Sequence, residues 1–274
     1  MNIQMNTAAT TMRELQKKVD MIANNVSNVN TAGYKRQEAN FSDALVQSIE
    51  KQANPPHEVG RQTPYGLRIG SGAIFAQTSL QTEQGTVKQT DRPLDFMIQG
   101  DSGFFRVASE GQTFYTRDGS FQLQPVPNSD QVNLVTANGD SVLDSNGQPI
   151  SFNGEYESIQ ANENGTLQVT YKNQALAPTQ IQLGIADIAR PNLLEKIGGN
   201  RYQLPGTEAE QLASGNLQLG NNEIKISQGA LEMSNVDLTD EMTELIATQR
   251  LLESQGKAIT FADDMMGLVN TMKG

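Results

Sequence analysis

Cysteine is absent from this 274-residue chain. Neither a disulfide framework nor a thiolate metal site can exist in it. A cysteine-free chain suits a reducing compartment, and equally a route that passes the chain unfolded through a channel. Tryptophan is also missing, there is one histidine, His57, and aromatic residues make up 5%. Hydrophobic residues reach 36% and charged residues 19%, both low for a compact globular enzyme. No segment holds the eighteen or so consecutive apolar residues of a membrane-spanning helix. The first basic residue is Arg13 and the early apolar residues are periodic, which is not the pattern of a signal peptide. Positive charge is scarce: 20 Lys and Arg face 31 Asp and Glu, for a net charge of −11. Without a Lys/Arg stripe, phosphate neutralisation and hence nucleic-acid binding are disfavoured. An anionic membrane surface would repel such a chain. The charge balance therefore points to protein partners.

What fills the gap is Gln, Asn, Ser, Thr and 24 Gly, a composition suited to short strands and turns. The chain ends differ from the middle. From Met5 to Val29 apolar residues fall into two heptad sets: Met5, Met12, Val19, Val26 and Ala8, Leu15, Ile22, Val29. Such a seam predicts a helix that packs on a partner helix. The predicted stop is Asn30-Thr31-Ala32-Gly33, with Gly33 in the left-handed conformation that closes a helix. At the other end Leu231, Leu238, Leu245, Leu252, Ile259 and Met266 recur every seven residues. Met242, Ile246, Ala262, Met265 and Val269 widen that stripe. Ser234 and Asp237 have capping-box spacing, and Asp240 and Glu241 suit a helix N-terminus. A helix over 237–272 would run roughly 50 Å.

Between the ends, Asp118-Gly119, Asn138-Gly139, Asn146-Gly147, Asn153-Gly154 and Asn164-Gly165 read as tight hairpin turns. Leu167 to Tyr171 and Ile181 to Leu183 alternate as half-buried strands do. Pro55, Pro56, Pro64 and nearby glycines predict an extended connector. The expected fold class is α+β, with terminal N- and C-helices pairing as a coiled coil around a mainly-β central domain. The expected divisions are an N-terminal assembly helix and turn (1–50), a connector (51–75), a β-rich domain (76–228) and a C-terminal assembly helix (229–274).

No constellation for chemistry stands out. His57 in the connector has no positioned nucleophile or carboxylate nearby in sequence, and reads as a solvated loop residue. Asp144-Ser145-Asn146-Gly147 faintly resembles a calcium loop but lacks the later ligands, so a turn is the better reading. Asp263-Asp264 and Asp91 with Asp95 read as surface acids. Gly66 to Gly72 is glycine-rich without the Lys-Ser/Thr ending of a phosphate loop. No catalytic, cofactor or metal residue is assigned.

Residues 23–36, Ala-Asn-Asn-Val-Ser-Asn-Val-Asn-Thr-Ala-Gly-Tyr-Lys-Arg, closely resemble the N-terminal signature of flagellar basal-body rod and hook proteins. The residues that carry it are Asn24, Asn25, Asn28, Asn30, Thr31, Gly33, Tyr34 and Lys35. A C-terminal block resembles that family's second motif: Gly229 to Leu238, then Glu241-Met242 and Thr248-Gln249-Arg250. Its markers are Ser234, Asn235, Val236, Asp237, Glu241, Gln249 and Arg250. Pro93 to Gly100, Tyr115 to Phe121 and Ile197-Gly198-Gly199-Asn200 resemble the borders of its β domain. Three departures stand against the family pattern: Ser102 inside Gly100-Asp101-Ser102-Gly103-Phe104-Phe105, Tyr34 in place of Phe, and Leu251-Leu252 after Gln-Arg.

The resemblance implies a self-assembling axial subunit of a hollow rod, exported through the flagellar channel without a cleaved signal and located in the basal body. Its partners would be copies of itself, neighbouring rod and hook proteins and the export apparatus, with no nucleic acid and no small-molecule substrate. Free subunits would have disordered ends that fold on assembly. Distal-rod and proximal-rod types both fit. A hook or hook-junction protein is one alternative. A secreted β-domain hydrolase or an adhesive, phage-tail-like binding module on a coiled-coil stalk is another.

Overall fold

The computed structural model describes residues 2–43, 46–49, 67–70, 73–127, 129–172, 177–220 and 224–273. The chain divides into two units, Met1–Asn24 with Gln37–Ser79 and Thr239–Gly274, and Asn25–Arg36 with Leu80–Leu238. His57 and the three connector prolines lie outside the described residues.

The first unit is built on two helices. Helix α1 spans Asn2–Ser27. Of its two heptad sets, Ala8, Leu15 and Ile22 are buried, while Met5, Met12, Val19 and Val26 are half-buried. Helix α1 ends at Ser27, so Val29 falls in the following turn. Thr10 and Thr11 bond back to the carbonyls of Asn6 and Thr7, which lets polar β-branched residues sit inside a helix. A short helix, α2 (Glu208–Ala213), belongs to the other unit and is closed by a Thr207–Glu210 capping box. Helix α3 spans Leu238–Lys273, 36 residues without proline and about 54 Å long. The Lys18 ammonium meets the Glu244 carboxylate at 2.7 Å and ties α1 to α3. No described helix is long and apolar enough to cross a membrane.

The same unit contains four strands, of which Leu67–Gly70 and the start of Ala73–Leu80 fall within the expected connector. Val46–Ile49 pairs antiparallel with Leu67–Gly70, from Val46 opposite Gly70 to Ile49 opposite Leu67. Gln37–Asp43 pairs with Ala73–Leu80. Residues 37–43 with 73–80, and 46–49 with 67–70, thus form two separate ladders. Leu67 to Gly70, read as part of a glycine-rich loop, is strand.

The second unit is the β body. Its main sheet runs Ser151–Asn153, Gln131–Val135, Ser141–Val142, Gly103–Ser109, Gln112–Thr116, Arg201–Gln203, Glu195–Gly198, every neighbouring pair antiparallel. Ile185–Ile188 joins Gly103–Ser109 and carries Leu217–Leu219. A smaller sheet orders Tyr156–Ala161, Thr166–Tyr171 and Thr179–Gln182. Alternation does what the sequence promised there: Leu167, Val169 and Tyr171 are buried, the residues between them half-exposed. The core centres on Phe96, Phe105, Phe121, Val142, Leu167 and Val169. Burying a side chain of that size contributes about 1.5–3 kcal/mol. The Phe105 and Phe121 rings meet edge to face, with centroids 5.1 Å apart.

Two of the five expected hairpin turns are something else. Gly139, Gly147 and Gly165 take positive φ in tight turns, as Asn-Gly should. Gly119 does not. A Cβ there would lie 1.8 Å from the Phe96 carbonyl oxygen, so glycine is required for close packing of two backbones. Gly154 likewise keeps an ordinary φ, and its N–H donates to Asp130 O.

Candidate functional site

The N-terminal signature ends helix α1 and then turns into the β body. The Asn28 and Val29 N–H groups bond to Asn25 O and Val26 O, tightening the last turn. Thr31 bonds to Asn28 through both backbone and hydroxyl. Gly33 lies beyond this closure with φ +68°, and its N–H donates to Glu232 O at 2.8 Å. Its role is close approach: a Cβ would sit 2.3 Å from Asp118 N. Tyr34 is fully buried and donates its hydroxyl to Asn25 Oδ1 at 3.0 Å. The Lys196 ammonium caps the same ring, 4.1 Å from its centroid.

Lys35 is the centre of the site. All three of its N–H donors are used, on Thr82 O (2.9 Å), Glu83 O (2.7 Å) and Glu232 Oε1 (2.6 Å). Both side chains of the Lys35–Glu232 pair are 1% exposed. Glu232 Oε1 also accepts from Gly85 N at 3.0 Å. Arg117 brings Nε within 3.5 Å of Glu232 Oε2, donates Nη2 to Gly100 O, and stacks its guanidinium over Phe104. Two buried cations thus share one carboxylate. Burial pushes the Lys35 pKa down, the Arg117 charge pushes it further, and Glu232 opposes both. Burial also lowers Arg117. The pair is held by geometry against a desolvation cost.

The C-terminal signature supplies the other half. Arg36 N donates to Asn235 Oδ1 at 2.7 Å, and Asn235 Nδ2 donates to Gln81 O and Glu83 O. Gln81 N returns a bond to Arg36 O, and Asn200 Nδ2 reaches Ala32 O at 2.9 Å. Segments about 200 residues apart in sequence are thereby clasped. Leu231 belongs to this clasp region and not to the helix. It lies in the strand Ala230–Glu232, where period two buries Ala230 and Glu232 and leaves Leu231 half-exposed. Ser234 is also no helix cap, because α3 begins four residues later; its hydroxyl accepts from Val236 N. Val236 is buried and Asp237 exposed.

Along α3 the seam divides. Leu245, Leu252, Ile259 and Met266 are half-buried, whereas Leu238, Met242, Ile246, Phe261 and Leu268 are exposed. Glu241 and Thr248, also seven apart, are buried. Gln249 and Arg250 are exposed. Asn24 bonds back to Asp20 O, and Asn30 is exposed. The sequence reading passed over Glu232, Arg117 and Asn200 as site residues, although each sits inside a block that carried the resemblance. The available signal was an ionisable residue at an inward strand position, such as Glu232 beside Ala230.

The candidates for chemistry resolve into local structure. Asp144 Oδ1 accepts from Asn146 N and Gln148 N, so that carboxylate is engaged by its own turn. Asp95, expected at the surface, is instead buried and pairs with Arg92 at 3.2 Å. Among the described residues, no group of three or more His, Cys, Asp or Glu is placed to hold a metal ion.

Family models match both helical ends and the β middle of the chain. Residues 5–35 match the flagella basal body rod protein model, 97–169 the flagellar hook protein FlgE/F/G D1 domain, and 227–272 the flagellar basal body rod FlgEFG protein C-terminal model. The chain belongs to the flagellar basal-body rod family, a structural family. It is 37% identical to the flagellar hook-basal body complex protein FlhP of Bacillus subtilis, over 97% of this chain and 98% of that one. It is 36% identical to the flagellar basal-body rod protein FlgG of Borreliella burgdorferi, over 97% of each chain. Against FlgG of Caulobacter vibrioides the identity is 34%, over 97% and 98%.

Proposed function

We propose that this chain is a structural subunit of the bacterial flagellar rod, assembling through its terminal helices into a hollow axial tube that transmits torque and conducts exported subunits. The observation that carries this reading is the set of exposed apolar side chains along α3. Ile246, Leu251, Phe261 and Leu268 are each more than half exposed. Exposed apolar side chains spread from Ile246 to Leu268 on a 36-residue helix leave apolar surface for partners to cover. In the rod, α1 and α3 pair as a coiled coil, a geometry to which the heptad spacing and the Lys18–Glu244 contact lend support. The partners are copies of itself, neighbouring rod and hook proteins, and the export apparatus, which the chain enters without a cleaved signal peptide. The role involves no catalytic step, cofactor, nucleic acid or small-molecule substrate.

A hook-junction position is a second reading, favoured by the relative named as a hook-basal body complex protein. Deleting the gene and imaging purified basal bodies separates the two. A rod that is missing or stops short, with no hook beyond it, supports the rod subunit. An intact rod without a hook supports the junction. Intact rods, hooks and filaments would overturn both.

A further inference from the structure

The strand Tyr156–Ala161 lies at one edge of the three-stranded sheet. An edge strand offers unpaired backbone N–H and C=O groups to which another chain can add. Some edges of the body carry charge: Lys88 on the exposed strand Val87–Gln89, Glu195 and Lys196 on Glu195–Gly198. On Tyr156–Ala161 the protection takes another form. The Gln228 carboxamide accepts from Ala161 N at 2.9 Å and donates to Ile159 O at 2.9 Å. Residues 159 and 161 are two apart, so these groups point the same way, and one primary amide satisfies both. A further bond from Gln228 Nε2 to Pro93 O, 2.7 Å, fixes the side chain. Beside it the ladder shifts register between Tyr156 and Ser158, leaving the exposed Glu157 at a bulge. A groove of about 460 Å³ runs along this edge, with Pro93 and Leu94 facing Tyr156 and Ile159.

We infer that Gln228 is a plug for this edge, preventing the β body from joining other copies of itself strand to strand. The plug operates whichever axial structure the chain builds, and leaves copies to meet through other surfaces. Without it, the Ile159 carbonyl and Ala161 N–H lose their partner beside a groove that Pro93, Leu94, Tyr156 and Glu157 help to line.

The test uses the full purified chain with Gln228→Ala. Faster amide exchange at Ala161 is expected, with self-association at least about tenfold tighter by analytical ultracentrifugation. The amides of Glu157 and Ile159 gain exchange protection in the associated species, which association through α3 would not produce. Gln228→Lys removes the same bonds but sets a charge on the edge, and is expected to sediment like the parent. Three results would overturn the plug: parent-like sedimentation of Gln228→Ala, association without protection at 157–159, or equal association or equal loss of fold in both variants.

Discussion

In the β body Phe104, Phe105, Val107, Phe121 and Val142 have no exposed surface, whereas on α3 Leu251, Phe261 and Leu268 are 54%, 65% and 66% exposed. One region satisfies its apolar residues within the chain; the other leaves them for something else. The contrast extends to polar groups. The body buries Lys35, Arg117 and Glu232 together, whereas α3 buries Glu241 but leaves Asp240, Glu253, Lys257, Asp263 and Asp264 exposed. On the reading proposed above, folding stability resides in the body and association capacity in the helix.

Substitutions in the two regions should separate stability from assembly. The largest loss of body stability is expected from Glu232→Ala, which leaves two buried cations without their carboxylate; such removals cost about 3–5 kcal/mol. Urea denaturation followed by tyrosine fluorescence reads it directly. Gly33→Ala should cost about 1–3 kcal/mol, from a left-handed φ and a Cβ set against the Asp118 backbone. Leu268→Asp on α3 should leave the body's urea midpoint unchanged within about 0.5 kcal/mol and yet abolish rod incorporation and motility. A body destabilised by Leu268→Asp would erase the contrast.

The smallest effects concern pH. Burial raises the Asp118 pKa above 3.8, against the hydrogen bonds from Ser120. The folded state then holds more protons than the unfolded one, so this group's contribution to stability falls as pH rises from 3.8 through its folded value. Asp118→Asn keeps an acceptor for Ser120 and should flatten that limb, changing stability at neutral pH by less than about 1 kcal/mol. Lys35 has the opposite slope. Its folded pKa is lowered, the unfolded state binds more protons, and stability rises with pH from the folded value up to 10.5. Thermal melts across both windows measure the two slopes.

Much of this was legible in the sequence, and what escaped has a common cause. Heptads gave both long helices, and alternation gave Leu167 to Tyr171, because periodicity is local. Leu231 matched a seven-residue repeat by coincidence of number, since its neighbours obey period two in a strand ladder. Asp118-Gly119 looked like a turn because a sequence does not tell a glycine needed for φ from one needed for space. The clasp was invisible as a unit: Lys35, Arg117, Asn200 and Glu232 meet through tertiary contacts spanning most of the chain. The strands around the connector prolines depend on partners about 20 to 40 residues away, which no short window contains.

The clasp also sets a path for force. Residues 33–36 and 229–235 bond directly to one another, through Gly33 N to Glu232 O, Lys35 to Glu232, and Arg36 N to Asn235. Tension applied to the two chain ends reaches these bonds together with the Asn200–Ala32 bond that ties in one end of the large sheet, and the rest of the body hangs beyond them as a closed loop of sequence. Strain is borne at a few short, buried contacts, and the strands far from Glu195–Gln203 are free to lengthen, shorten or change their loops without lying on the line of load.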